Sequence, residues 1–200
     1  MVAVGPMDGW DELPGRLVVV SGPSGSGKST LVRRVLTRPE VSVRLSISAT
    51  TRAPRPGEEP GRDYLFLSQE AFEEARARGE FLETAEVHGN LYGTPAGPVR
   101  ADLEAGRCVL LEIDVQGGLI VREKVPTALL VFIHAPDLDE LEGRLRARAT
   151  EDEATIARRL NNARRELEQT SRYDEHVINA DLDRAVDDFV MLLNQNGCGG

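Results

Sequence analysis

The chain has 200 residues, 40% hydrophobic and 28% charged, enough for one globular domain with an inserted sub-domain around a substantial core. Its formal charge of −9 argues against a general nucleic-acid or acidic-membrane binder, because such affinity rests on broad positive fields. No apolar run approaches the roughly 18 residues of a membrane span, so a polyanionic ligand would have to meet locally gathered cations.

The first residues, MVAVGPMDGWDE, lack the basic start and long apolar centre of a signal peptide, and residues 1–14 read as a loose acidic leader. RLVVVS at 16–21 is a short, β-branched, apolar stretch that predicts a buried strand. It runs directly into Gly22, Pro23, Ser24, Gly25, Ser26, Gly27, Lys28, Ser29 and Thr30, and TLVRRVL then places Leu31, Val32, Val35 and Leu36 on one helical stripe. Strand, Gly-x-x-x-x-Gly-Lys-Ser and helix is the phosphate-loop arrangement. Glycines open backbone angles closed to other residues, so successive amides can turn inward as an anion nest at a helix N-terminus. Lys28 would reach the outer phosphates of a nucleoside triphosphate, and the Ser29 hydroxyl would hold Mg2+. Lys28 and Lys124 are the only lysines in an arginine-rich chain, which suggests that position 28 needs an ammonium group.

Further on, VLLEIDV at 109–115, LLVFIHA at 129–135 and HVINA at 176–180 read as strands alternating with helical patterns. The expected fold class is therefore α/β, a three-layer phosphate-loop fold with a parallel central sheet. Glu112 and Asp114, two apart, are expected on one strand face, where a cation such as magnesium or the donors of a ligand could offset their burial. A last helix from about Asp183 to Asn194 carries Ala185, Val186, Phe189, Val190 and Leu193 as core, and NQNGCGG at 194–200 reads as a frayed tail. Cys108 and Cys198 suggest no disulfide framework, which makes a reducing cytoplasm the default. His88, His134 and His176 are scattered and suggest no zinc site.

Two segments interrupt the alternation. Residues 48–98 are rich in turns and 137–168 in arginine, leaving a core of 15–47, 99–136 and 169–193. Insertions at the C-terminal ends of parallel strands are where such sheets bind ligands. In the first, Arg52 and Arg55 with Tyr64 nearby suit a phosphate monoester, since guanidinium forks pair bidentately with its oxygens. In the second, Arg144 and Arg148 lie one helical turn apart. Thr150 with Glu153 reads as a capping box, followed by an apolar seam of Ile156, Leu160, Ala163 and Leu167. Arg146, Arg158, Arg164 and Arg165 read as surface residues in ion pairs.

The run SATTRAPRPGE..G.DY, followed by EFLE....GN.YGT and LLEIDVQG, resembles the guanylate kinases over about residues 16–193. The resemblance implies a cytoplasmic kinase of purine nucleotide metabolism and GTP supply, transferring a phosphoryl group from ATP to GMP. It places Arg52, Arg55, Tyr64 and Tyr92 at the GMP phosphate and Ser48, Glu83 and Thr94 at the guanine, with Glu112 and Asp114 in the same region. It also makes Arg144, Arg148 and Arg159 lid arginines over the transferring phosphates and puts Asn179 near the ATP adenine. One carboxylate can accept guanine N1–H and the 2-amino group together, and hydroxyls can donate to O6, whereas adenine reverses the pattern. Ala149 and Ala180 depart from the family's usual glycine and aspartate. An intact phosphate loop argues against a binding module that has lost catalysis. Ser48, Glu83 and Thr94 argue against another small-molecule kinase, and the paired acceptor arginines against a nucleotide hydrolase. The partners implied are ATP and GMP, with no nucleic acid and no membrane.

Overall fold

In a computed structural model of the chain, residues 9–87, 89–147 and 153–200 are described. RLVVVS forms the central strand β1 (Arg16–Ser21), flanked in parallel by β7 (Cys108–Glu112) and β8 (Leu129–His134). β2 (Val43–Leu45) lies outside β7 and β9 (Glu175–Ile178) outside β8, also in parallel, giving the order β2-β7-β1-β8-β9. The alternation of side chains along β1 divides the core. Leu17 and Val19 join Leu111, Leu130 and Phe132 on the face covered by α3 (Ala96–Glu104) and α4 (Val115–Lys124). Val18 and Val20 join Leu110, Val131 and Ile133 under α1 (Lys28–Val35) and α7 (Leu182–Gln195). Both faces of a parallel sheet must be covered, and burying each such aliphatic side chain contributes about 1.5–3 kcal/mol. The expected α/β class holds.

The first insertion carries a second sheet, ordered β4-β3-β6-β5. Its strands are β3 (Ala49–Thr50), β4 (Leu65–Phe66), β5 (Phe81–Val87) and β6 (Asn90–Pro95), with α2 (Gln69–Ala77) across it. Ser68 caps α2 by accepting from the Ala71 amide, and Phe72 stacks on Phe81 with ring centroids 4.6 Å apart. The second insertion is a helical pair, α5 (Leu138–Ala147) and α6 (Glu153–Leu167), with its own cluster of Leu141, Leu145, Ile156, Leu160 and Ala163. The expected capping box falls on Thr150, outside the described residues, as do Arg148, Ala149 and His88.

Several expectations are corrected. VLLEIDV is not one strand: β7 ends at Glu112, and Asp114 is the N-cap of α4, its Oδ1 accepting from the Gly117 amide at 2.9 Å. The carboxylates therefore do not share a strand face. In the leader, Trp10 is 3% exposed within the β1–α3 core and opens a short 3-10 turn, so residues 9–14 are not loose. The tail is not frayed either. The Ser42 amide donates to the Cys198 carbonyl, Gly199 bridges Val41, and Cys198 is buried and disulfide-bonded to Cys108 at the start of β7. Cys108 and Cys198 are separated by 90 positions in sequence. The sheet order brings them together by placing β2, and the tail pairing beside it, against β7.

Candidate active site

The phosphate loop leaves the C-terminal end of β1, between its parallel neighbours β7 and β8, the usual ligand-binding end of an open α/β sheet. Close packing dictates its glycines. Gly22 has φ 146°, and a Cβ there would lie 1.9 Å from the Ile133 carbonyl oxygen. Gly27, the N-cap of α1 with φ 89°, would meet Asn179 Nδ2 at 2.3 Å. Asn179 is itself buried, and its amide donates to the Ser26 carbonyl at 2.8 Å. This side chain, which the resemblance associates with the adenine, here holds the loop's shape. Arg144 reaches the same place: Nη2 donates to the Asn179 carbonyl at 2.8 Å and Nε to Glu140 at 3.0 Å.

Lys28 Nζ donates to the Gly22 carbonyl at 2.8 Å. Burial pulls its pKa below the ordinary lysine value, with Glu112, Glu166 and Asp114 acting in opposition. Next to it the Ser29 hydroxyl donates to Glu112 Oε1 at 2.5 Å. A cleft of about 480 Å³ runs between the loop and the first insertion, with Ser24 and Lys28 on the loop side. Ser48, Arg52, Arg55, Tyr64, Glu83 and Tyr92 line it from the first insertion, and Glu112 and Asp114, at the end of β7 and the start of α4, line it as well. Residues named from three separate stretches of sequence thus face one space.

At the far end the antiparallel register sets Glu83 on β5 opposite Thr94 on β6. The Thr94 hydroxyl donates to Glu83 Oε1 at 2.7 Å. Glu83 is 3% exposed, and burial pushes its carboxyl up to about 7 against the Thr94 hydrogen bond, while Asp114 adds to the rise and Lys124 opposes it. Lys124, the second lysine, donates to the Leu82 carbonyl beside it. Since a hydroxyl has one proton, Thr94 in this arrangement orients Glu83. Of the Ser48 and Thr94 hydroxyls, Ser48 is the one that lines the cleft.

Arg52 is fixed on several sides. Its Nη2 donates to Glu58 at 2.9 Å, Nε to the Tyr92 hydroxyl at 3.2 Å and Nη1 to the Ala53 carbonyl at 2.7 Å. Its guanidinium lies 5.4 Å from the Tyr64 ring centroid. Glu58 Oε2 also accepts the Arg55 amide at 2.7 Å, tying the two arginines together. Glu58 is not singled out by the sequence, because an acidic residue in a turn-rich loop reads as solvated.

From the helical pair, Arg159 lines the cleft together with Asn162, Arg165 and Glu166. Arg165, read as a surface residue, is exposed but borders this space. Glu166 was missed, although Arg159, Asn162 and Glu166 have the i, i+3, i+7 spacing of one helix face. Arg144 does not line the cleft; it lies behind the loop on Ser26 and Asn179. Among the described residues no group of three or more histidine, cysteine or acidic side chains could hold a metal by itself. No helix of the described residues is long and apolar enough to cross a membrane.

A phosphate loop on a parallel sheet, facing a second cationic pocket across one cleft, defines a phosphate-loop kinase for a small phosphorylated acceptor. The guanylate kinase family model matches residues 14–196. A guanylate kinase of Rubrobacter xylanophilus is 50% identical over 187 residues, covering 93% of this chain and 97% of the relative. One of Synechococcus elongatus is 52% identical over 173 residues, covering 86% and 93%. The crystal structure of guanylate kinase from Anaplasma phagocytophilum superposes with a TM-score of 0.75 at 32% identity, covering 91% of this chain and 86% of that one. The chain belongs to the guanylate kinase family.

Proposed function

We propose that the cleft transfers the terminal phosphoryl group of ATP to GMP, giving ADP and GDP, with the triphosphate on the loop and the monophosphate between Arg52 and Glu83. The observation that carries this reading is a buried, hydroxyl-braced carboxylate, Glu83, in the same cleft as Lys28. When ionised, Glu83 accepts guanine N1–H and the 2-amino group together, and Ser48 donates to O6. Arg52, Arg55, Tyr64 and Tyr92 hold the monophosphate, with Arg52 preset by Glu58.

The acceptor's oxygens are already anionic at neutral pH, so no general base is needed. The work lies in bringing two polyanions into line and stabilising charge on the moving group while water is excluded. Lys28, Arg148 and Arg159 supply cations to the transferring phosphates; Arg148 falls outside the described residues. Arg144 acts from behind the loop, on the side of Asn179, where the ATP nucleoside would lie. The second insertion serves as a lid that closes over the phosphates, and the first swings inward with the acceptor.

The donor set fits magnesium: the Ser29 hydroxyl and Glu112 carboxylate are adjacent hard oxygens, and this ion needs few protein ligands when phosphates and waters complete its shell. Bound with ATP, it neutralises charge on the triphosphate. Asp114 holds the start of α4 and adds negative charge near Lys28, which makes it a positioning group for the acceptor side. ATP and GMP are the partners, and the cytoplasm, where nucleotide pools are held, is the proposed location.

The test is an ADP-release assay with ATP and Mg2+ and each of GMP, AMP, CMP and UMP. Turnover is expected with GMP alone at low concentration. Equal rates with AMP would overturn the role given to Glu83.

A further inference from the structure

We infer that Lys124 is a positioning residue for Glu83: its ammonium braces a β-bulge at Leu82, one peptide bond from Glu83, and faces the same small cavity as the Glu83 side chain. This rests on the reading of Glu83 as the group that receives guanine.

The register of β5 against β6 slips at this point. Phe81 pairs with Pro95 and Glu83 with Thr94, so β5 advances two residues while β6 advances one, and Leu82 is the extra residue of a bulge. A bulge takes its extra residue out of the ladder and re-aims the side chains around it. Here the Leu82 carbonyl accepts from Lys124 Nζ at 2.5 Å. That carbonyl belongs to the planar peptide unit whose nitrogen is the Glu83 amide. Whatever fixes it therefore fixes where the Glu83 side chain begins.

One helix holds Glu83 at both ends. In the first turn of α4, a Cβ on Gly117 would lie 2.7 Å from Glu83 Oε2, so bare backbone meets the carboxylate. At the last residue of α4, Lys124 ties down the peptide unit that leads to it. Of the two cations in that last turn, Arg122 turns to the Pro126 carbonyl and Asp174. Lys124 is the one aimed at β5. A compact ammonium suits a single carbonyl better than a guanidinium fork does, which accounts for one of the chain's two lysines.

Charge points the same way. Glu83 and Lys124 line a cavity of about 250 Å³ together with Arg76 and Phe81. The charged groups around Glu83 are Asp114 and Lys124 from α4 and Arg76 from α2, which is paired with Glu73. β6 contributes the Thr94 hydroxyl. α3 packs here through Ala96 and Val99, while its charges are engaged as Arg100 with Glu104 and Asp102 with Arg107. Asp114 pushes the Glu83 carboxyl up and Lys124 holds it down. Lys124 is exposed, so solvent screens this attraction and its effect is moderate.

The experiment is the pH profile of kcat/KM for GMP, with KM for ATP alongside, in wild type, Lys124→Met, Lys124→Arg, Glu83→Gln and the double variant Lys124→Met/Glu83→Gln. Melting curves confirm that each is folded, and Lys124→Gln replaces Lys124→Met if the latter is not. Lys124→Met should lower kcat/KM for GMP at pH 7 by about 3–10-fold and move the midpoint upward by about 0.5–1 pH unit. By pH 8.5 much of the loss should be regained, and KM for ATP should barely change. Lys124→Arg, which keeps the charge, should return the midpoint toward wild type. In the Glu83→Gln background, removing Lys124 should cost much less. An unmoved midpoint in Lys124→Met, or an equal loss with and without Glu83, would overturn the proposal. Undiminished use of GMP by Glu83→Gln would instead overturn the guanine reading beneath it.

Discussion

Thr94 donates a hydrogen bond from its hydroxyl to Glu83 across the β5–β6 pair at 2.7 Å, so this buried carboxylate is held by a strand register and not by a loop. Opposed effects act on Glu83: burial raises its pKa to about 7 and the Thr94 bond lowers it. Only the ionised form accepts both guanine donors, so kcat/KM for GMP should rise from pH 6 to pH 8. Thr94→Val removes the opposing bond and should move this midpoint upward while costing about 1–3 kcal/mol of stability. A pH–rate profile with the same midpoint in both proteins would detach Thr94 from Glu83.

The same shift has a sign for folding. A carboxyl whose folded pKa lies above its ordinary value of 4.5 binds its proton more tightly when folded. The stability it contributes is full below that value and is lost as pH rises through about 7. Glu166 is shifted in the same direction, also to about 7. The ligand-free Tm should fall between pH 5 and pH 7.5, and Glu83→Gln should flatten that fall. Melting curves of equal slope for wild type and variant would contradict this.

Arg52 makes distinct contacts with Glu58, Tyr92 and the Ala53 carbonyl through different nitrogens, a fork that a single ammonium cannot reproduce. Arg52→Lys should raise the KM for GMP by about 10–100-fold, the loss expected when a charge-assisted bidentate contact worth about 1.5–3 kcal/mol goes. The KM for ATP should barely change. A proportionate rise in both constants would mean that the substitution disturbs the fold rather than the acceptor.

The donor loop was legible from sequence because its signals are local: an apolar strand, glycines at fixed offsets, one lysine and an amphipathic helix within about twenty positions. The acceptor pocket became legible only through several motifs in order, since Arg52, Glu83 and Tyr92 converge through β-pairing that spacing alone does not encode. Glu58 and Glu166 stayed hidden for a plainer reason. Acidic residues in a turn or on an amphipathic helix read as solvated, and their burial is decided by what the fold lays over them. Asp114 was misplaced because a continuous apolar pattern hides where a strand stops and a helix cap begins.

Lys28 combines a half-buried position with a bond to the Gly22 carbonyl, and desolvation lowers its pKa. Lys28→Ala should leave the fold intact, since the helix stripe of Leu31, Val32 and Val35 is untouched. Turnover should fall by at least about 10²-fold, the scale for losing a preorganised charge at the transition state. Near-normal turnover in a variant with an unchanged circular dichroism spectrum would remove the lysine from the mechanism.

Cys198 anchors the chain's end to the first residue of β7, beside the pairing of Val41 with Gly199. Cross-linking positions 90 apart restricts the unfolded chain far more than the folded one, a contribution of about 2–4 kcal/mol in the chain-entropy account. In oxidised protein Cys198→Ser should therefore lower the Tm by roughly 5–15 °C. The site lies at the opposite end of β7 from Glu112, so kcat should stay near the wild-type value. Excess dithiothreitol should bring the wild type down to the variant, because the remaining contacts of the tail, Gly199 on Val41 and the Ser42 amide on the Cys198 carbonyl, do not depend on the sulfurs. Identical melting curves for the two oxidised proteins, with both thiols of the wild type open to alkylation, would show that the tail docks through its backbone alone.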